Sequence, residues 1–235
     1  MQGDQLQGCT IARAEMAVAA AAGLHAPFWD AVPGDLDWLA QPTPEKVTAK
    51  IELYRAVVPG FVARYAAALG PARTELADFI DRNLEILVSA SRTPRTIVHG
   101  DYRLDNMLFA QDVPVTPAPP PLVVVDFQTC SVGHGMNDVA YFIGAGLLAD
   151  DRRTVERHLV KQYRSSLEVL GVGVDADDLW HDYVLGSTSG YIMAVIASQI
   201  VVQTERGDDM FVAMAGRHGQ QMLDLGVAEV IAQAW

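Results

Sequence analysis

Eleven residues near the middle of the chain, Gln111 to Pro121, include five prolines, and this stretch limits the fold more than any other. Proline has a fixed φ and no N–H to donate, so the stretch can be neither helix nor central strand and reads as a surface connection. Short apolar runs flank it, Met107–Phe109 before and Leu122–Val125 after. If these pair as an antiparallel hairpin, the start of the first lies beside the end of the second, which brings Asn106 close to Asp126.

Most of the remainder has helical spacing. Ile11 to His25 reads as an alanine-rich helix capped by Thr10, and Glu45 to Val57, Val62 to Leu69 and Arg73 to Ser89 continue the pattern after a proline- and aromatic-rich loop. A β-branched run at Thr96, Ile97 and Val98 precedes the hairpin. Helix resumes from Asn137, read as a cap, to Trp235, with breaks near Gly171 to Gly173 and Gly207 to Asp209. The fold class expected is mainly α with a small β-hairpin insert, a single unit divided as 1–95 helical, 96–128 loop and hairpin, and 129–235 helical.

Charge and cysteine content narrow the function. With 17 basic against 29 acidic residues, a net charge of -12 and only three lysines, the chain lacks the cations that phosphate backbones require, so no nucleic-acid partner is expected. The acidic balance is read as solubility, with a weak lean towards cationic substrates. Cys9 and Cys130 form no metal or disulfide pattern, which suits a reduced, cytoplasmic protein. The apolar Met16–Leu24 lacks the basic flank of a signal peptide, and the uncharged stretch between Asp182 and Glu205 is too rich in Ser, Thr and Gly for a membrane span, so it reads as a core helix.

The chemistry gathers at the hairpin. Asp101 lies five residues before Asn106, so three oxygen-bearing side chains, Asp101, Asn106 and Asp126, can converge at one end of it. Such hard ligands suit Mg²⁺, which takes one or two protein carboxylates and shares phosphate oxygens. Asp101, held off the metal, could then accept or orient a hydroxyl proton.

HGDYRLDNMLF, followed by VVVDFQ and NDVAYF, resembles the aminoglycoside phosphotransferase and choline- and ecdysteroid-kinase-like (CHK-like) phosphotransferases, which have a protein-kinase-like fold. The opening GDQLQGCTIARAE and LHAPFW are similar to the region these proteins carry after their ATP-binding lobe. The resemblance implies an ATP- and Mg²⁺-dependent transfer of the γ-phosphoryl group to a small-molecule hydroxyl. Asp101 would be the catalytic base or hydroxyl-orienting residue, Asn106 and Asp126 would hold Mg²⁺ on the nucleotide, and His99 and Asp138 would support the loop. Helices after residue 150 would form the acceptor side. Arg103 and Asp105 stay unassigned, open to phosphate or substrate contacts.

The glycine-rich loop, strand lysine and partner glutamate of such kinases are not recognisable, since Lys46 and Lys50 lie in a helical pattern. The expectation is therefore a C-terminal lobe without its N-terminal ATP-binding lobe, with little turnover alone and a face open to self-association. A non-catalytic half-kinase that binds a partner is the alternative, and a metal-dependent phosphohydrolase ranks last. His25 is expected to pack at its helix end; His158, His181 and His218 are read as surface or core residues, and Trp180 and Tyr191 as core. His134 reads as a turn residue or, less readily, part of a substrate loop.

Overall fold

The computed structural model describes residues 1–36, 38–110 and 121–233; the proline-rich connection, apart from Pro121, lies outside them. Helices α1 (Ile11–His25), α2 (Pro44–Leu69) and α3 (Pro71–Leu87) come first. Four short strands follow, β1 (Arg95–Val98), β2 (Met107–Phe109), β3 (Leu122–Val124) and β4 (Ser131–His134). Five helices complete the chain: α4 (Gly135–Gly146), α5 (Ala149–Val169), α6 (Ala176–Ile200), α7 (Glu205–Leu225) and α8 (Val227–Gln233). The architecture is mainly α with a small β insert.

Local chemistry sets several boundaries. Thr10 caps α1, its hydroxyl accepting from the Arg13 amide, and Thr43 caps α2 ahead of Pro44 in the first turn. The expected break between Val57 and Val62 does not occur, because α2 runs straight through Pro59. The buried stripe Tyr54, Val58, Phe61, Tyr65 crosses Pro59 at unbroken helical spacing, and its packing outweighs the one backbone hydrogen bond that proline removes.

The hairpin forms as expected, with β2 antiparallel to β3 and Met107 opposite Val124. β1 pairs instead with β4, Ile97 facing Val132, so His134 ends a strand and is neither a turn nor an isolated loop residue. Asn137 is not a cap either: α4 already begins at Gly135, and its backbone enters from the extended His134. Near Gly207 the helix does not break, since Thr204 caps α7 through the Gly207 amide and the gap falls before it.

Two large apolar clusters, with a small third one around Leu39, Ile97 and Val132, make the interior of the described residues. One joins α2 and α3 to α6 and α7 through Tyr54, Phe61, Ile80, Tyr191 and Phe211. The other joins α1 and α5 to the loop after β1 through Ala17, Ala21, Tyr163 and Tyr102. Helix α4 contributes to both and is buried at every residue except Asn137, so it has no solvent face. Gly144 of α4 and Gly190 of α6 let these helices close on the His218 ring, where added Cβ atoms would lie 2.5 and 1.9 Å from it. Among the described residues no helix is long and apolar enough to cross a membrane, and α6, which holds the stretch read as a core helix, is largely buried.

Candidate active site

The loop from His99 to Asn106 is held from beneath by α4. Asp138, 1% exposed, accepts the His99 amide at 2.6 Å on Oδ2 and the Gly100 amide at 2.9 Å on Oδ1. Two successive amides can point at one carboxylate only if the chain turns sharply, and Gly100 makes that turn at φ +82°. Its Cβ would lie 2.6 Å from the Thr129 carbonyl oxygen, so no side chain fits there. His25 Nε2 lies 3.2 Å from Asp138 Oδ2 and His25 Nδ1 2.7 Å from the Tyr163 hydroxyl. A neutral His25 satisfies both contacts, donating from Nε2 and accepting at Nδ1.

His99 ties the loop to the hairpin. Its Nε2 is 3.0 Å from the Val125 carbonyl, which can only accept, so the proton sits on Nε2 and Nδ1 is left to accept the Asp101 amide. The ring packs on Phe127 with centroids 4.7 Å apart. The structure therefore places His99 and Asp138 as supports of the loop.

Asp101 is surrounded by donors. Tyr141, one helical turn after Asp138 on α4, gives its hydroxyl proton to Oδ1 at 2.9 Å. Arg103 Nε at 2.9 Å and Asn106 Nδ2 at 3.0 Å both donate to Oδ2. A carboxylate offers roughly four acceptor positions, two on each oxygen, so Oδ2 is filled and Oδ1 keeps one free. Burial, and then the Asp101 carboxylate, hold the Tyr141 phenol well above its usual range, which keeps it a donor.

Asn106 and Asp126 stand on adjoining strand ends of the hairpin. The Val125 amide donates to the Asn106 carbonyl at 2.9 Å, which sets Asp126 one residue beyond Asn106's partner in the ladder. Asp126 adopts a left-handed backbone, φ 67° and ψ 61°, a conformation that Asp tolerates better than most residues and that often marks a functional turn. Its carboxylate is exposed and has no hydrogen-bond partner among the described residues. The Asn106 amide nitrogen is committed to Asp101, leaving Oδ1 as its open group. An amide oxygen and an unbonded carboxylate on adjoining strand ends are a donor set that fits Mg²⁺, which needs few protein ligands.

Arg103 and Asp105, unassigned from sequence, have internal partners. Arg103 bridges Asp101 and Asp105, and Asp105 Oδ1 also accepts the Gln5 amide at 3.0 Å. Gln5 in turn accepts the Leu104 amide, while Arg217 of α7 holds the Gln5 and Leu6 carbonyls. Tyr141, His25 and the Gln5 brace were not found from sequence. Only Tyr141 left a signal, its three-residue spacing from Asp138 within NDVAYF. His158, His181 and His218 behave as read: His158 pairs with Glu15 at the surface, His181 meets the Ala90 carbonyl and His218 is buried.

A family model described as the ecdysteroid kinase-like family matches residues 40–171, more than half of the chain and including the loop and hairpin. Among solved structures, one from Ralstonia eutropha JMP134, provisionally named an aminoglycoside phosphotransferase, matches with 19% identity and a TM-score of 0.49, over 99% of this chain and 70% of that one. No curated protein matches.

Proposed function

The chain belongs to the ecdysteroid kinase-like family, and from that premise we propose that it carries the transfer site of an ATP- and Mg²⁺-dependent phosphotransferase acting on a small-molecule hydroxyl. The observation that supports this most is the Asp101 carboxylate, fixed by three donors with one acceptor position free on Oδ1, on the loop whose Asn106 pairs in the hairpin next to the residue before Asp126.

Phosphoryl transfer is catalysed mainly by positioning and charge. The acceptor hydroxyl would donate to the free position on Asp101 Oδ1, which turns its oxygen towards the γ-phosphorus. As the new O–P bond forms and the bond to the β-phosphate oxygen breaks, Asp101 takes the hydroxyl proton. Asn106 and Asp126 would hold magnesium, which when bound supplies positive charge to the phosphate oxygens. Arg103 keeps Asp101 from swinging away, and Asp138 fixes the backbone that carries it. The sequence itself offers no glycine-rich loop or strand lysine to cradle the phosphates, so turnover by this chain taken alone is proposed to be low. Its two free cysteines support a cytoplasmic setting.

The test is transfer from γ-labelled ATP to a panel of hydroxyl compounds with Mg²⁺ present, for the parent and for Asp101→Asn. Asn keeps the shape and removes the base, so transfer falls by about 10² to 10⁴-fold; its NH₂ meets a donor that Asp101 accepts from, so some loss of melting temperature accompanies this, and far-UV circular dichroism checks that the fold is kept. Transfer by the parent, however weak, that the variant retains undiminished rejects the proposal.

A further inference from the structure

A cavity of about 350 Å³ opens beside the loop, bounded by Gly100, Asp138 and Tyr141 on one side and by α2 and α6 on the other. Tyr141 lines it and hydrogen-bonds Asp101, so the cavity lies one side chain from the group that would receive the acceptor hydroxyl. Its volume is that of a small-ligand site.

Its charge is unlike that of the whole chain. Two of the three lysines in the sequence, Lys46 and Lys50, line it together with Arg95. All three are exposed, and none has an ion-pair partner among the described residues. The one carboxylate in the lining, Asp138, already accepts from His99, Gly100 and His25. Lys46 and Lys50 stand four apart on α2, where like charges face each other and weaken the helix slightly. The first turn of this 26-residue helix also borders the cavity, and a helix N-terminus favours negative charge. Val47, Leu185 and Ile192 supply an apolar wall.

We propose that this cavity takes the acceptor and that the acceptor is an anion: a hydroxyl compound with an apolar body and a carboxylate or phosphate group, the anionic group at Lys46 and Lys50, the body on Val47, Leu185 and Ile192, and the hydroxyl towards Asp101. This reverses the lean towards cations that the net charge of -12 suggests, because local cations and not the summed charge meet a bound ligand. The proposal rests on the phosphotransfer reading of the neighbouring loop.

Three probes of one length separate the terms: 8-hydroxyoctanoate, 1,8-octanediol and 8-amino-1-octanol, titrated calorimetrically into the full chain without nucleotide. The hydroxyoctanoate binds at least tenfold tighter than the diol, and the aminoalcohol binds weakest. The double variant Lys46→Gln, Lys50→Gln removes the preference for the carboxylate and leaves the affinity for the diol unchanged. Equal binding of the three, or tightest binding of the aminoalcohol, overturns the proposal. Displacement of hydroxyoctanoate by ADP gives the lysines to the nucleotide and overturns it too. Because these readings need no turnover, they stand or fall separately from Asp101-dependent transfer.

Discussion

The Tyr141 hydroxyl donates to Asp101 Oδ1 at 2.9 Å from the same helix that carries Asp138 one turn earlier. One buried element therefore sets both the backbone of the loop and the orientation of its carboxylate. Tyr141→Phe removes the second function alone. It is expected to cost about 1.5 kcal/mol in urea unfolding, as for a hydrogen bond to a charged group. Wherever transfer is measured, kcat falls about tenfold or more while KM for ATP stays near the parent value, since the loss is one of positioning.

Asp138→Asn acts one step further back. The amide keeps one acceptor oxygen but turns an NH₂ towards the His99 or Gly100 amide, and His25 loses its carboxylate partner. Disturbing such a buried network is expected to cost about 3 kcal/mol. Hydrogen exchange measures it directly: the His99 and Gly100 amides lose protection well before those of α4 itself.

How far this arrangement could be read in the sequence follows from chain separation. Asp101 and Asn106 lie in one contiguous loop, and Asp126 joins them through a hairpin whose pairing follows from two apolar runs and a proline stretch. His25 meets Asp138 across 113 residues, and Gln5 braces Leu104 across 99, through packing that no local pattern encodes. The β1–β4 pair was hidden for the same reason, since Ser131 to His134 contains one β-branched residue and gains its strand character from Arg95–Val98 opposite. Pro59 argues for a break only locally, whereas the stripe that runs past it is held by α3 and α6.

Stability should fall in acid, and His218 is a main cause. Burial lowers its pKa from 6.5 to about 3, against an ordinary histidine in the unfolded chain. Between those values the unfolded state binds a proton that the folded state refuses, so stability is complete above about pH 6.5 and is lost as the pH drops towards 3. The slope from this group is about 1.4 kcal/mol per pH unit. His134, lowered chiefly by burial, adds the same sign. His218→Gln flattens the dependence in urea titrations run across this range; an unchanged slope contradicts the assignment.

Arg152 is fully buried, at 2.6 Å from Glu156 and also paired with Asp224, and Glu156 in turn accepts the Tyr183 hydroxyl. This network pins α5 to α6 and α7. Arg152→Ala leaves the buried Glu156 without a cation, while Asp224 keeps Arg153 and Gln220, and is expected to destabilise by about 3 kcal/mol in urea unfolding. The cost should be near zero if the pair contributes only as an exposed bridge would.

In the proposed site Asn106 and Asp126 hold one divalent ion beside Asp101. Paramagnetic broadening tests it most directly: Mn²⁺ with ADP is titrated into ¹⁵N-labelled protein, and amide signals are followed residue by residue. Residues 100–107 and 125–128 are expected to broaden first, α5 and α7 to stay sharp, and Asp126→Ala to remove the localised effect. Broadening centred elsewhere, or unchanged by Asp126→Ala, would contradict it.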